Sequence, residues 1–307
     1  MIGTKEEGPL VVKQLLKIKN EEKFLRLQEQ MTKIHSAIDV ERHHPNVMTY
    51  YRQSPVQIKE VTLLLRQFVC HNLSEKLIHI PQLLTMTEKK WLIFQLMCAI
   101  EQIHSVDGLT HGDIKPDNIL VTSYDWLYLG DLHPYKPVEV MDDNLKRYNK
   151  YFGHLDNNAR CYLAPERWVT PPQTVKDSAK MAPAMDIFSA GCVIAEIICD
   201  GMPLFDLPRL QNYRRGGLDL REELSKRIED TTMVELLLKM LARDPEQRPS
   251  ASECLQEWVS KVFPGTFSSV FFQIGAVFQR VSYLYSDNRI ALIRYHIDTI
   301  FEKCFNI

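Results

Sequence analysis

Apolar positions change their period along the chain. Near the N-terminus, PLVVKQLL (Pro9 to Leu16) is a β-branched apolar run and reads as a strand. The segment EEKFLRLQEQMTKIHSAI then places Phe24, Leu27, Met31, Ile34 and Ile38 at steps of three and four, which predicts an amphipathic helix. EVTLLLRQFV (Glu60 to Val69) reads as a buried strand. Beyond it the helical period takes over. Thr85 and Glu88 form a T-x-x-E capping box ahead of KKWLIFQLMCAIEQIHS. NILVTS and WLYLGDL, around Ser123, Tyr124 and Asp125, predict two short strands joined by a turn. From Asp131 to Pro165 the chain is polar and irregular, whereas MDIFSAGCVIAEIIC is apolar on all faces and predicts a helix inside a core. A small strand-bearing N-terminal part followed by a large helical part is an α+β pattern with two lobes.

Composition narrows the function classes without choosing one. The 307 residues are 45% hydrophobic and 25% charged, as in an ordinary globular protein. A formal net charge of -2 gives no basic field, so no nucleic-acid partner is expected. The seven cysteines form no CxxC pair and no zinc spacing with histidine, which predicts reduced thiols in a cytoplasmic setting. The longest apolar run, Phe188 to Cys199, is too short to span a bilayer. Lys5, Glu6 and Glu7 argue against a signal peptide, and Ile2 displaces Gly3 from the position myristoylation needs.

The chemistry concentrates in HGDIKPDNIL, His111 to Leu120. Asp113, Lys115 and Asn118 stand two and three residues apart between apolar stretches, and Asp131 follows at the end of the next hairpin. Phosphoryl transfer asks a protein for positioning and charge neutralisation. In that use Asp113 accepts or orients the proton of an attacking hydroxyl, and Lys115 neutralises the moving phosphate. Asn118 and Asp131 supply hard oxygen ligands to Mg²⁺. The plain alternative is a capped, solvated turn between helix and strand.

Further motifs favour the chemical reading. Ala164-Pro165-Glu166 follows in LAPERW, Asp186 opens the buried helix, and Arg248 sits in DPEQRPS. Together with H-x-D-x-K-x-x-N these resemble the protein-kinase motif set over about residues 9 to 262. The resemblance implies a Glu166–Arg248 ion pair, an Asp186 that braces the backbone of the His111 loop, and structural roles for all four residues. It also implies that Lys13 in VVK anchors nucleotide phosphates, although a solvated strand lysine would look the same. The stretches HGDIKPDNILVTSYDWLYLGDLHPYKP, CYLAPERW, MDIFSAGCVIAEI, GMPLFDL and LYSDNRIALIRYHIDTI are similar to the vacuolar protein sorting-associated protein 15 family, also called phosphoinositide 3-kinase regulatory subunit 4. That likeness implies a two-lobed kinase-like fold with a reduced N-terminal β lobe (1–69), a helical C-terminal lobe (70–263) and extra C-terminal helices (264–307). It further implies Mg²⁺ with ATP or GTP as cofactors, and the class III phosphatidylinositol 3-kinase catalytic subunit with other autophagy and endosomal subunits as partners. Peripheral attachment to endosomal, autophagic or vacuolar membranes would come through that complex.

Several positions depart from a working kinase. Gly3 and Gly8 do not make the G-x-G-x-x-G phosphate cover, and with twelve residues ahead of Lys13 two strands would be lost, leaving an exposed sheet edge. Gly112 stands where an arginine usually clamps a phosphorylated segment, and no Ser or Thr occurs from Asp131 to Glu166. His133 replaces the flexible glycine after the metal aspartate. The apolar register points Gln30, rather than Glu29, inward toward Lys13. Arg66 falls behind the nucleotide base, with Gln67 and Val69 completing the implied nucleotide-binding set. A guanidinium there suits the carbonyl acceptor of guanine better than the amino group of adenine, unless it swings out to solvent or pairs with an acid. At the C-terminal end, Phe267, Phe271, Ile274 and Phe278 share one helical face, as do Ile290, Ile293, Ile297, Ile300 and Phe301. That face either docks a neighbour or packs on the large lobe. Two functions follow: an atypical serine/threonine kinase, or a catalytically inactive nucleotide-binding scaffold.

Overall fold

Alternating apolar strands at the N-terminus build a four-stranded antiparallel sheet in the order β1-β2-β4-β3, from β1 (Ile2–Thr4), β2 (Gly8–Leu15), β3 (Val56–Ile58) and β4 (Val61–Gln67). The computed structural model describes residues 2–4, 8–15, 21–38, 45–51, 56–58, 61–79, 84–132, 136–153, 160–176, 181–281, 295–296 and 299–300. The β2–β4 register sets Lys13 opposite Leu64 and Val11 opposite Arg66. β4 differs from the expected buried strand: only Thr62 and Leu64 are fully buried, because the strand covers a core on one side alone. β1 pairs with the start of β2, Ile2 against Leu10 and Thr4 against Gly8, and is itself the edge of the sheet. Between β2 and β3 runs α1 (Glu21–Ala37), which buries Leu27, Met31 and Ile34, with Ile38 just past its end. Gln30 is exposed, contrary to the inward position expected for it. At 100° per residue it lies about 70° off the centre of the apolar stripe, on its flank.

The larger part begins with β5 (His71–Asn72) and α2 (Leu73–His79). Its central helix is α3 (Met86–His104), packed on α5 (Pro183–Ile198) and α9 (Ala251–Lys261). Both α3 and α5 are apolar nearly all round because neighbours enclose them. Thr85 caps α3 reciprocally: its Oγ1 accepts from Glu88 N at 3.3 Å while Glu88 Oε2 accepts from Thr85 N at 2.7 Å. Thr85→Ala should cost about 1 kcal/mol. That loss would lower the melting temperature by roughly 2–4 °C in a domain of this size. A calorimetric scan with no shift would mean that the box adds nothing beyond hydration.

The hairpin β6 (Ile119–Val121) and β7 (Leu127–Leu129) forms a second small sheet with β5. The segment expected to be irregular contains β8 (Val140–Met141) and α4 (Lys146–Tyr151), and β8 pairs in parallel with β9 (Trp168–Val169). Further helices are α6 (Leu207–Arg214), α7 (Leu220–Ser225), α8 (Thr231–Met240) and α10 (Thr266–Val281). α10 lays its apolar face on the large lobe. Phe267 meets Trp91 edge-on at 5.2 Å, and Phe271 stacks on Trp126 at 5.3 Å. Packing on the large lobe therefore covers the described part of this face, Phe267, Phe271 and Ile274. The side chains of Phe24 and Phe278, and His133, Ile290, Ile293, Ile297 and Phe301, lie outside the described residues. Among the described residues no helix is long and apolar enough to cross a membrane.

Candidate functional site

The site is assembled by the turn after α3. Asp186, in the first turn of α5, is 1% exposed and receives that turn with both oxygens. Its Oδ2 accepts from His111 N at 2.7 Å and its Oδ1 from Gly112 N at 2.8 Å, while His104 Nε2 lies 3.0 Å from Oδ2. Burial alone would raise the Asp186 pKa, but the hydrogen bond and charge of His104 outweigh it and hold the carboxyl below its usual range. Gly112 has φ +75°, where a side chain is strained, and a Cβ there would lie 2.8 Å from Met181 Cε, so the tip of that methionine would have to move. The His111 ring is oriented by two partners. Nδ1 accepts from Asp113 N at 3.2 Å, which leaves Nε2 to donate to Gly130 O at 2.8 Å.

That bond to Gly130 ties the loop to the far end of the hairpin. Gly130 N donates to Asn118 O at 2.9 Å, and the β6–β7 register sets Ile119 against Leu129. Asn118, at the end of the single turn Pro116–Asn118, and Asp131, just past β7, are thereby brought to one mouth. Both line a cleft of about 280 Å³, together with Val11, Val12, Lys13 and Arg66 from the facing strands. Asp131 adopts φ +67°, a strained position for a residue with a side chain. Its Oδ2 meets Lys13 Nζ and its Oδ1 accepts from Tyr50 Oη, so the sheet lobe and the hairpin are joined across the cleft. Arg66 Nη1 donates to Gln67 O at 3.1 Å. Gln67 is exposed and Val69 half-buried beyond the end of β4, and neither is among the residues lining the cleft.

Asp113 lies beneath, 6% exposed. Asn118 Nδ2 donates to its backbone oxygen at 2.8 Å and to Oδ2 at 2.7 Å. Lys115 Nζ stands 3.9 Å from Oδ2, but the ammonium in direct contact with that oxygen is that of Lys136. Burial pushes the Asp113 pKa up, and the charges of Lys136 and Lys115 together pull it below the usual carboxylate value. Burial lowers the Lys136 pKa, with Asp113 opposing. Glu166 and Arg248 form a two-pronged pair at 2.7 and 2.8 Å, with the Arg248 side chain fully enclosed.

Three contributors had no sequence signal that the motif reading used. Lys136 sits in an irregular polar stretch, Tyr50 in an unpatterned loop, and Arg167 directly after the A-P-E motif. Arg167 is 1% exposed and donates to Gly112 O, Pro137 O and Val138 O at 2.7 to 2.9 Å.

With this geometry the comparisons with known proteins become decisive. The model of the protein kinase domain matches residues 2–259. The chain belongs to the protein kinase family. Its kinase domain is of the VPS15 type. It is 37% identical over 265 residues to the probable serine/threonine-protein kinase vps15 of Dictyostelium discoideum and 38% identical over 265 residues to serine/threonine-protein kinase VPS15 of Arabidopsis thaliana. The vps15 kinase of Schizosaccharomyces pombe is 41% identical over 224 residues. These matches cover 86%, 86% and 73% of the chain but only 13%, 17% and 13% of the relatives. A solved chain of the yeast RNA Pol II CTD kinase CTDK-1 complex superposes with a TM-score of 0.57 over 83% of this chain and 86% of its own, at 17% identity. It shares the two-lobed α+β kinase fold, which is the fold that the sequence pattern implies.

Among the described residues no three His, Cys, Asp or Glu side chains gather to cage a metal. One amide and one carboxylate at the mouth of a cleft suit Mg²⁺ that arrives with phosphates and keeps its own waters, which is how this ion is usually held. Asn118 and Asp131 are the residues that fit that use.

Proposed function

We propose that the cleft between residues 1–69 and 70–263 binds a Mg²⁺–nucleoside triphosphate. The chain then serves as the kinase-like domain of a regulatory subunit of the class III phosphatidylinositol 3-kinase complex, in autophagy and endosomal or vacuolar sorting. The observation that carries the nucleotide reading is the meeting of Lys13, Asn118 and Asp131 on one cleft. Lys13 contributes charge for the phosphates, while Asn118 and Asp131 contribute oxygen to the ion. Bound Mg²⁺ would neutralise the phosphates and polarise the terminal one. Asp113 is the base for a serine or threonine hydroxyl, and Lys115 steadies the phosphate. The VPS15 names of the relatives support the sorting role and, through it, partnership with the lipid kinase and its autophagy and endosomal subunits. Membrane contact is peripheral, through those partners.

Arg66 makes the base preference testable. It lines the cleft from β4, and its guanidinium offers donors where guanine has a carbonyl and adenine an amino group. GTP should bind roughly tenfold tighter than ATP, the worth of one good base contact. Arg66→Met should erase the difference while leaving ATP affinity in place. Titration of the purified chain with both nucleotides in Mg²⁺ decides the matter, and tighter ATP binding by the wild type would reject the guanine preference.

A second reading, a nucleotide-binding scaffold without phosphotransfer, is favoured by one observation. The Asp113 carboxylate is in contact with the ammonium of Lys136.

A further inference from the structure

Lys136 reaches Asp113 from a stretch that no motif marks. Their side chains are 11% and 5% exposed, so the contact is closed to bulk water. The same Asp113 oxygen also accepts from Asn118 Nδ2 at 2.7 Å, with Lys115 Nζ at 3.9 Å. A carboxylate oxygen has two lone-pair positions, and these two donors fill those of Oδ2. A general base must come within about 2.6–3.2 Å of the hydroxyl whose proton it takes. An ammonium already seated on Oδ2 closes that oxygen to the hydroxyl, leaves Oδ1 as the remaining acceptor, and makes the whole carboxylate a poorer proton acceptor.

The backbone around Lys136 is fixed from a second direction. Arg167 donates to the carbonyls of the next two residues, Pro137 at 2.9 Å and Val138 at 2.8 Å. It also donates to Gly112 O at 2.7 Å, on the residue before Asp113. Its guanidinium packs over the Phe152 ring at 4.9 Å, and Lys136 Nζ stands 5.8 Å from the same ring. One buried cation thus ties the strand of chain bearing Lys136 to the loop bearing Asp113. No Ser or Thr lies between Asp131 and Glu166.

We propose that Lys136 is a built-in latch on Asp113, held shut by Arg167, which permits nucleotide binding but suppresses phosphotransfer. The proposal rests on the reading of the cleft as a Mg²⁺–nucleoside triphosphate site. In the suppressed reaction the acceptor hydroxyl oxygen bonds to the terminal phosphorus. The bond from phosphorus to the bridging oxygen breaks, the leaving nucleoside diphosphate keeps that electron pair, and the hydroxyl proton goes to Asp113. With Lys136 in place one oxygen of that last acceptor is covered and the other binds the proton less well.

The test compares wild type, Lys136→Met and Lys136→Gln, each checked for a cooperative melt. Binding is read with a fluorescent nucleoside triphosphate in Mg²⁺, and transfer with terminally radiolabelled ATP and GTP onto casein. Both variants should bind nucleotide within threefold of wild type and transfer phosphate at least tenfold faster, and adding Asp113→Asn should abolish the gain. If Lys136→Met fails to fold, Lys136→Gln carries the same expectation. Binding retained with transfer unchanged or reduced overturns the latch and leaves the nucleotide reading standing. Failure of every protein, wild type included, to bind either nucleotide overturns the reading of the cleft and the latch with it.

Discussion

Arg248→Met should destabilise the folded chain by about 3–5 kcal/mol, the usual cost of breaking a buried ion pair by removing one partner. The Arg248 side chain is fully enclosed, and Glu166 keeps 20% exposure. The guanidinium does more than face Glu166. Nε donates to Ala242 O at 2.7 Å, Nη1 to Ala184 O at 2.8 Å and Nη2 to Arg243 O at 3.2 Å. It also stacks over Phe188 at 5.0 Å. Methionine fills part of the volume but leaves three carbonyls and a carboxylate short of donors. Glu166→Gln is the milder change, about 1–3 kcal/mol, because an amide oxygen still accepts and the carbonyl partners remain. Denaturant titration of both variants orders them. A value for Arg248→Met within 1 kcal/mol of wild type would show that Arg248 does not hold the A-P-E segment to the helices below it.

The motifs that were legible in the sequence are those whose chemistry is local or whose partners sit at fixed offsets. The α3 cap needed only Thr85 and Glu88 at N-cap and N3. The hairpin needed two apolar triplets around a turn, and its register then brought Asn118 and Asp131 to one mouth. The helix register was legible for Leu27, Met31 and Ile34 but not for Gln30 on the flank, where a polar residue can face either way. What could not be read were contacts that depend on where an irregular segment passes. Lys136 meets Asp113 across 23 positions of chain, and Tyr50 meets Asp131 across 81. Neither carries a period or a spacing. Arg167 was hidden differently, since it follows A-P-E and looks like a surface residue until its three carbonyl partners are known. The pattern at the site has one physical source. Asp131 is met by Lys13 and Asp113 by Lys136, so a divalent ion must compete with internal cations for the carboxylates, and an anionic ligand with internal anions for the lysines.

That competition sets the largest functional effect. Asp131→Asn should weaken Mg²⁺-dependent nucleotide binding roughly 100-fold or more, since a metal clamp on phosphate is worth several kcal/mol. Asparagine is the right probe because Asp131 sits at φ +67°. Asn tolerates that conformation, whereas alanine would add a backbone penalty of about 1–2 kcal/mol and mix folding with binding. The amide oxygen keeps an acceptor for Tyr50 Oη, while the amide nitrogen replaces the acceptor and the charge that face Lys13 Nζ, so the lysine must turn away. Lys13 is 31% exposed, so water can take over part of its solvation and the global stability should fall by no more than about 1 kcal/mol. The same titration in chelator separates the two jobs of the carboxylate. Without Mg²⁺ the variant should bind nucleotide at least as well as wild type, because Lys13 is no longer held by an internal anion and can turn to the phosphates. Equal affinities of wild type and variant in Mg²⁺ would remove the ion from Asp131 and with it the case for this cleft as a metal–nucleotide site.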